Sequence, residues 1–257
     1  MTVRLSFRAI GALATLAVVG GIAAIATSVP MSSEPAAVAA SVPVPALLAD
    51  AAHPAVVELY ESQGCSSCPP ANANVNELAG RSDILALNFA VTYWDQLGWK
   101  DTFAKPAYTA RQWDYAHAAG RPQVATPQVI VNGRGTTVGS NPQALAAAIR
   151  QNDRGTGGPA IAANGSRVVV GAAPSAHAAT VWLVRYDPRN LVVPIRAGEN
   201  GGRSIGHRNI VRSLEQIGTW SGRQAAFALP ANPDANYRAA ILVQDGTGGK
   251  IVAASRI

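Results

Sequence analysis

Two cysteines, three residues apart and followed by two prolines, constrain this chain more than any other feature: Cys65-Ser66-Ser67-Cys68-Pro69-Pro70. They are the only 2 cysteines in 257 residues. A disulfide-stapled small fold and a four-cysteine zinc site are therefore excluded, because each needs more thiols. The preceding run Val56-Val57-Glu58-Leu59-Tyr60 reads as a strand by its β-branched and aromatic content. Two prolines suit the first turn of a helix, where their missing N–H groups have no intrahelical role. Val75 and Leu78 continue an i, i+3 apolar face, and Gly80 is placed to cap its end. The pair thus falls at a strand-to-helix turn. A cysteine at that turn faces backbone N–H donors and the positive end of the helix dipole. Both stabilise its thiolate and lower its pKa from about 8.5. The thiolate attacks a disulfide, and the second cysteine, one turn on, resolves the mixed disulfide.

Residues 84–91 form a second, nearly continuous apolar strand, as expected when both faces are buried. Residues 105–119 read as a helix ended by Gly120-Arg121-Pro122. A third strand, 128–131, directly follows Thr126-Pro127, and Asn132-Gly133 signals a hairpin into a short strand at 136–138. Asn141-Pro142 opens a helix running to about residue 150, N-cap followed by proline. After the Gly-rich stretch 153–159 the pattern turns to short strands at 160–163, 167–171, 180–186, 191–196, 224–229, 237–244 and 250–254. Ile210, Val211, Leu214 and Ile217 are spaced i, i+1, i+4, i+7, which fits a short helix or an irregular strand. Glu199, Asn200, Arg203, His207 and Arg208 concentrate polarity in this otherwise apolar half. They form either a polar surface facing the cysteines or a ligand, or a Gly-rich loop whose charges pair among themselves.

The N-terminus has the layout of an export signal. Arg4 and Arg8 precede an uncharged stretch from 9 to 29 rich in Ala, Val, Ile, Leu and Gly, and small residues follow. The stretch is also long enough to span a bilayer, so an uncleaved anchor in the inner membrane is the alternative. Either way the rest of the chain is expected in the periplasm or outside the cell. Residues 30–53 read as an Ala/Pro-rich linker. The net charge of +6 comes from 18 Arg and 3 Lys scattered along the chain. Without a basic run interleaved with aromatics, nucleic acid is not an expected partner.

With Cys-x-x-Cys at the first strand-to-helix turn and a proline before the third strand, the order β-α-β-α-β-β-α resembles a thioredoxin fold. Longer phrases narrow the resemblance: residues 57–70, 93–101 (Tyr-Trp-Asp-Gln-Leu-Gly-Trp-Lys-Asp), 126–133 and Gly198-Glu199-Asn200-Gly201-Gly202-Arg203. Together they are similar to a bacterial secreted thioredoxin-like family, domain of unknown function 1223, over roughly residues 53–255. The resemblance implies a cis Pro127 facing the cysteines, with Thr126 offering its backbone to an extended substrate. It also implies Glu58 beneath the pair as proton acceptor for Cys68; the alternative is a solvent-facing strand residue, since both neighbours are apolar. Gln63, Trp94 and Trp99 are expected at the substrate rim. The expected fold class is an α/β thioredoxin-like domain at 54–153 followed by an all-β, immunoglobulin-like sandwich domain at 159–257.

The expected function is thiol–disulfide exchange with protein thiols or disulfides. Cys65 would be the nucleophile and Cys68 the resolver, with no cofactor beyond the redox-active disulfide. Two alternatives stand beside it. One is a binding module whose disulfide is purely structural. The other is a copper or zinc protein using the Cys pair with a histidine such as His207.

Overall fold

The strand before the cysteines is β1 (Ala55–Glu61), and all seven of its residues are buried. The structure is a computed structural model and describes residues 46–257. The expected signal or anchor segment at 1–29 lies outside the described residues, as does the linker up to residue 45. β1 is buried because it has a strand on each side and a helix on each face. It pairs in parallel with β2 (Ile84–Ala90) and antiparallel with β3 (Gln128–Val131). The helix α1 (Pro69–Leu78) supplies Ala71 and Val75 to a core with Ala55, Val57 and Leu59. The helix α2 (Pro106–Ala118) supplies Tyr108 and Tyr115 to a second core with Val56 and Tyr60. α1 ends at Ala79 in right-handed helical conformation, so Gly80 does not serve as a left-handed cap. The hairpin partner β4 (Gly135–Thr137) and the helix α3 (Pro142–Gln151) complete this half. Asn141 caps α3 by accepting the Ala144 N–H at 2.8 Å.

The second half does not form a separate sandwich. Its strands β7 (Ala179–Asp187), β10 (Ile210–Trp220), β12 (Arg238–Asp245) and β13 (Ile251–Arg256) extend the same sheet. The result is one eight-stranded mixed sheet, ordered β13-β12-β7-β10-β2-β1-β3-β4. Strands account for 35% of the structure and helices for 16%, in three helices, which overturns the expected α/β domain joined to an immunoglobulin-like sandwich. The physical reason is the free edge of β2. An unpaired edge exposes a row of backbone N–H and C=O groups, and β10 covers it. The core follows the sheet, so Tyr60, Phe89 and Tyr108 share one cluster with Val184, Val211 and Leu242. A three-stranded sheet of β5 (Ile161–Asn164), β6 (Arg167–Val170) and β11 (Ala225–Ala228) covers part of the extension. There Val168 and Val170 pack with Trp220, Ile241 and Val243. The hairpin β8 (Leu191–Pro194) and β9 (Ser204–His207) stands apart as a two-stranded ribbon.

The junction between the halves is narrow. β10 meets β2 in parallel at the single register pair Ile210–Asn88. Asn209 fixes this point. Its carbonyl accepts the Asn88 N–H at 3.0 Å, and its side-chain amide donates to the Ala86 carbonyl at 2.8 Å. It does so at a φ of 49°, in the left-handed region that Asn tolerates better than most residues. Asn209→Ala should therefore destabilise the fold by about 2–3 kcal/mol, and Asn209→Gly by about 1 kcal/mol, since glycine keeps the backbone and loses only the side-chain bond. Urea unfolding measures both. Equal losses below about 0.5 kcal/mol would show that the junction does not depend on this residue.

Candidate functional site

Cys65 and Cys68 are joined in a disulfide. Both are buried, at 0% and 1% exposure, whereas Ser66 and Ser67 between them face solvent. Cys68 is the N-cap of α1, with Pro69 and Pro70 following. The two prolines remove two of the N–H donors that a helix start would otherwise present, so thiolate stabilisation rests on fewer groups than the turn alone suggests. Ser67 supplies one of them, with its Oγ 3.3 Å from Cys65 Sγ.

The β8–β9 ribbon covers the pair. Asn200, itself fully buried, donates to the carbonyls of Gln63 at 2.9 Å and Cys65 at 2.8 Å. Arg203 Nη1 donates to Asn200 Oδ1 at 3.0 Å and so orients the amide. Glu199 accepts the Ser66 N–H at 3.0 Å, and the Ser66 side chain, then that backbone bond, hold its carboxyl below the ordinary range. Gly198 sits against Gly98 and Trp99, where any Cβ would be crowded, so the ribbon tip and the 94–101 loop approach through glycines. Of the polar group expected from 199 to 208, Glu199, Asn200 and His207 are thus brought to the cysteine loop or the helix after it.

Strand alternation decides which acidic residue belongs to this site. Glu58 shares the parity of Val56 and Tyr60 and points to the α2 face, away from α1. There Arg111 Nε donates to it at 2.8 Å and the Tyr115 hydroxyl donates to its other oxygen, while Arg111 also donates to Gln244. Glu58 is therefore the anion of a buried network rather than a group beneath the disulfide. Glu61 has the opposite parity. It lies 3.0 Å from His207 Nδ1, and Asn72 of α1 donates to the same nitrogen at 3.0 Å. Neutral His207 accepts from Asn72, whereas Glu61 Oε1 is an ion-pair contact of the ring and makes no hydrogen bond among the described residues. Burial opposes the charged ring, but Glu61 and then Asp101 outweigh it and raise its pKa. His207 Nε2 is buried and has no hydrogen-bond partner among the described residues. Burial first, then the Glu61 charge, pushes the Asp101 carboxyl up to about 6. Neither Glu61 nor Asp101 was expected here. The signal for Glu61 is present in the sequence, as the acidic residue of α1-facing parity nearest Cys65.

The other expected residues are placed as follows. Gln63 is buried, and its side chain is occupied internally: Oε1 accepts from Trp99 Nε1 at 3.0 Å and Nε2 donates to Thr102. Its backbone N–H donates to Asp101 at 2.7 Å. Trp94 Nε1 donates to Thr126 Oγ1 at 2.7 Å. The Thr126–Pro127 peptide bond is cis, and Pro127 follows the Tyr60–Gln128 pair by one step, at the end of β1 where the cysteine loop starts. Gly64 lies between, close enough to Trp94 and Trp99 that a Cβ there would touch both. Among the described residues no group of three or more His, Cys, Asp or Glu side chains is arranged to hold a metal ion. A groove of about 470 Å³ beside the pair is lined by Pro69, Asn72, Asn76, Arg203 and Ile205 among others. A larger cavity lies elsewhere, against α2.

The buried cluster has a pH signature. A carboxyl whose folded pKa exceeds its unfolded value favours folding while protonated. The Asp101 contribution is complete below about pH 3.8 and is lost as pH rises through about 6. His207, also raised, continues the same trend above its ordinary 6.5. The urea midpoint of the natural protein should fall relative to that of Asp101→Asn between pH 4 and 6. The lowered carboxylates at Asp83 and Asp187 are common to both proteins and cancel. Parallel curves across that range would contradict the assignment.

Comparison with known proteins agrees with this continuous architecture. The crystal structure of a protein from Agrobacterium tumefaciens is 31% identical in sequence, with a TM-score of 0.65, covering 82% of this chain and 96% of the other. HBP35 of Porphyromonas gingivalis is similar in fold alone, at 12% identity and a TM-score of 0.55, covering 80% of this chain and 74% of the other. No functionally curated protein matches the sequence. The sequence profile described as protein of unknown function (DUF1223) matches residues 56–244, and the chain belongs to that family.

Proposed function

We propose that this protein exchanges thiols and disulfides through Cys65 and Cys68. The observation that carries this reading is the pair itself: a disulfide at the N-cap of α1, with a hydroxyl beside the Cys65 sulfur. Starting from the reduced pair, the Cys65 thiolate attacks a substrate disulfide. One S–S bond forms, another breaks, and the first substrate sulfur leaves as a thiolate. The Cys68 thiolate then attacks the Cys65 sulfur, releasing the second substrate sulfur. The protein ends oxidised by two electrons and the substrate reduced by two, and the same steps run backwards. Cys68 must lose a proton on the way. Asn72, which contacts His207, is four residues further along α1, about 6 Å of helix. His207, beside Asn72 and raised by the charges around it, is the group we assign to take up this proton, the role first expected of Glu58. Substrates would be proteins met after export, with the N-terminal segment serving as signal or anchor.

The burial of both sulfurs favours a second reading, in which the disulfide is permanent and holds the loop for the ribbon. Trapping separates the two. Under the redox reading, Cys68→Ser captures a glutathionylated peptide as a stable mixed disulfide, and Cys65→Ser captures none. If neither variant captures peptide, and the natural pair stays oxidised against glutathione with a potential below about −300 mV, the disulfide is structural. Access depends on Asn200, whose amide holds two carbonyls of the cysteine loop. Asn200→Ala should speed reduction of the buried disulfide by a water-soluble phosphine about tenfold, the effect of roughly one hydrogen bond on an opening equilibrium. An unchanged rate would show that the ribbon does not control access.

A further inference from the structure

A large cavity lies away from the cysteines. It has a volume of about 790 Å³ and is walled by the end of α2, the β3–β4 hairpin and the β12–β13 turn. That volume lies within the range of small-ligand sites. Its lining contains three cationic side chains, Arg121, Arg134 and Lys250, and no carboxylate. Arg121 Nε is buried and has no hydrogen-bond partner among the described residues. With Nε turned away from solvent, the terminal guanidinium N–H groups are the ones an anion in the cavity would meet. Arg134 is held in place by donating from Nη1 to the Asp153 carbonyl at 3.0 Å.

Among the described residues no carboxylate lies within ion-pair distance of these three cations, including Asp245, whose side chain lies beside Gly249. The Asp153 carboxylate accepts the N–H groups of Ala49 and Gly155. Asp114 contributes only its backbone to the turn at Gly248, and its side chain is outside the lining. The walls are also built for close approach. A Cβ at Gly133 would run into the Gly249 carbonyl, and one at Gly248 would run into that of Asp114. Ile130, Ala118, Ala119 and the Tyr115 ring give the cavity an apolar side.

We infer that this cavity binds a small organic anion, with a phosphate or carboxylate head on Arg121, Arg134 and Lys250 and an apolar body against Ile130, Ala118 and Tyr115. The site is separate from the cysteine loop and does not depend on the redox reading. Phenyl phosphate is the probe, followed on the full chain through the amide resonances of Gly133, Gly135, Gly248 and Gly249. Phenyl phosphate should shift these resonances and bind more tightly than inorganic phosphate. Arg121→Gln and Lys250→Gln should each weaken it about tenfold, the loss expected for one charge-assisted contact. Thr136→Glu, which adds a carboxylate at the exposed rim, should abolish binding without touching the core. Equal affinity for inorganic phosphate would overturn the apolar half of the assignment. No shift at these glycines at millimolar phenyl phosphate, or full binding by all three variants, would overturn the site itself.

Discussion

The strand β1 is buried along its whole length, and it carries a carboxylate to each face of the sheet. Neither carboxylate can be left alone there, because an unpaired buried charge would cost several kcal/mol. On one face, Arg111 and Tyr115 close around Glu58 and bind α2 to the sheet, and Gln244 ties β12 into the same network. On the other, His207 meets Glu61 and brings the end of β9 against α1. Both contacts reach from the first half of the chain into the second. The two halves are thus joined by the Glu61–His207 ion pair and the Arg111–Gln244 hydrogen bond as well as by the backbone junction at Asn209, and the cysteine loop inherits its position from the end of this same strand.

Much of the first half was legible from local chemistry. Asn141-Pro142 opened a helix, Asn132-Gly133 turned a hairpin, and the apolar run after residue 83 became a strand buried on both faces. What could not be read was pairing at long range. β10 meets β2 more than a hundred residues away, and no periodicity announces that contact. The spacing of Val211, Leu214 and Ile217 imitates a helix for an identifiable reason. β10 has register shifts between Val211 and Ser213 and between Gln216 and Gly218. Each irregularity adds a residue to the strand, which turns a spacing of two into a spacing of three. Val211 and Leu214 therefore face one core, while Ile217 and Trp220 face another.

The site was legible to a similar depth. The cysteines and Pro127 lie at the end of β1, where their motifs pointed, because turn chemistry is local. Glu58 lies on the α2 face rather than beneath the pair because strand parity, not distance from Cys65, fixes the face. Gln63, expected at the rim, is buried, and its side chain accepts a hydrogen bond from Trp99, which stays half-buried. Asn200 stood out as polarity in an apolar stretch, but its two carbonyl partners belong to a loop 135 and 137 residues earlier.

That separation gives the molecule an order in time. A ribosome delivers the chain from its N-terminus, so both cysteines emerge long before residue 200 does. Until then nothing in the chain can supply the amide that closes over the Cys65 and Gln63 carbonyls. The cysteine loop therefore gains these two bonds only in a molecule whose synthesis has passed residue 200, and the ribbon marks that completion.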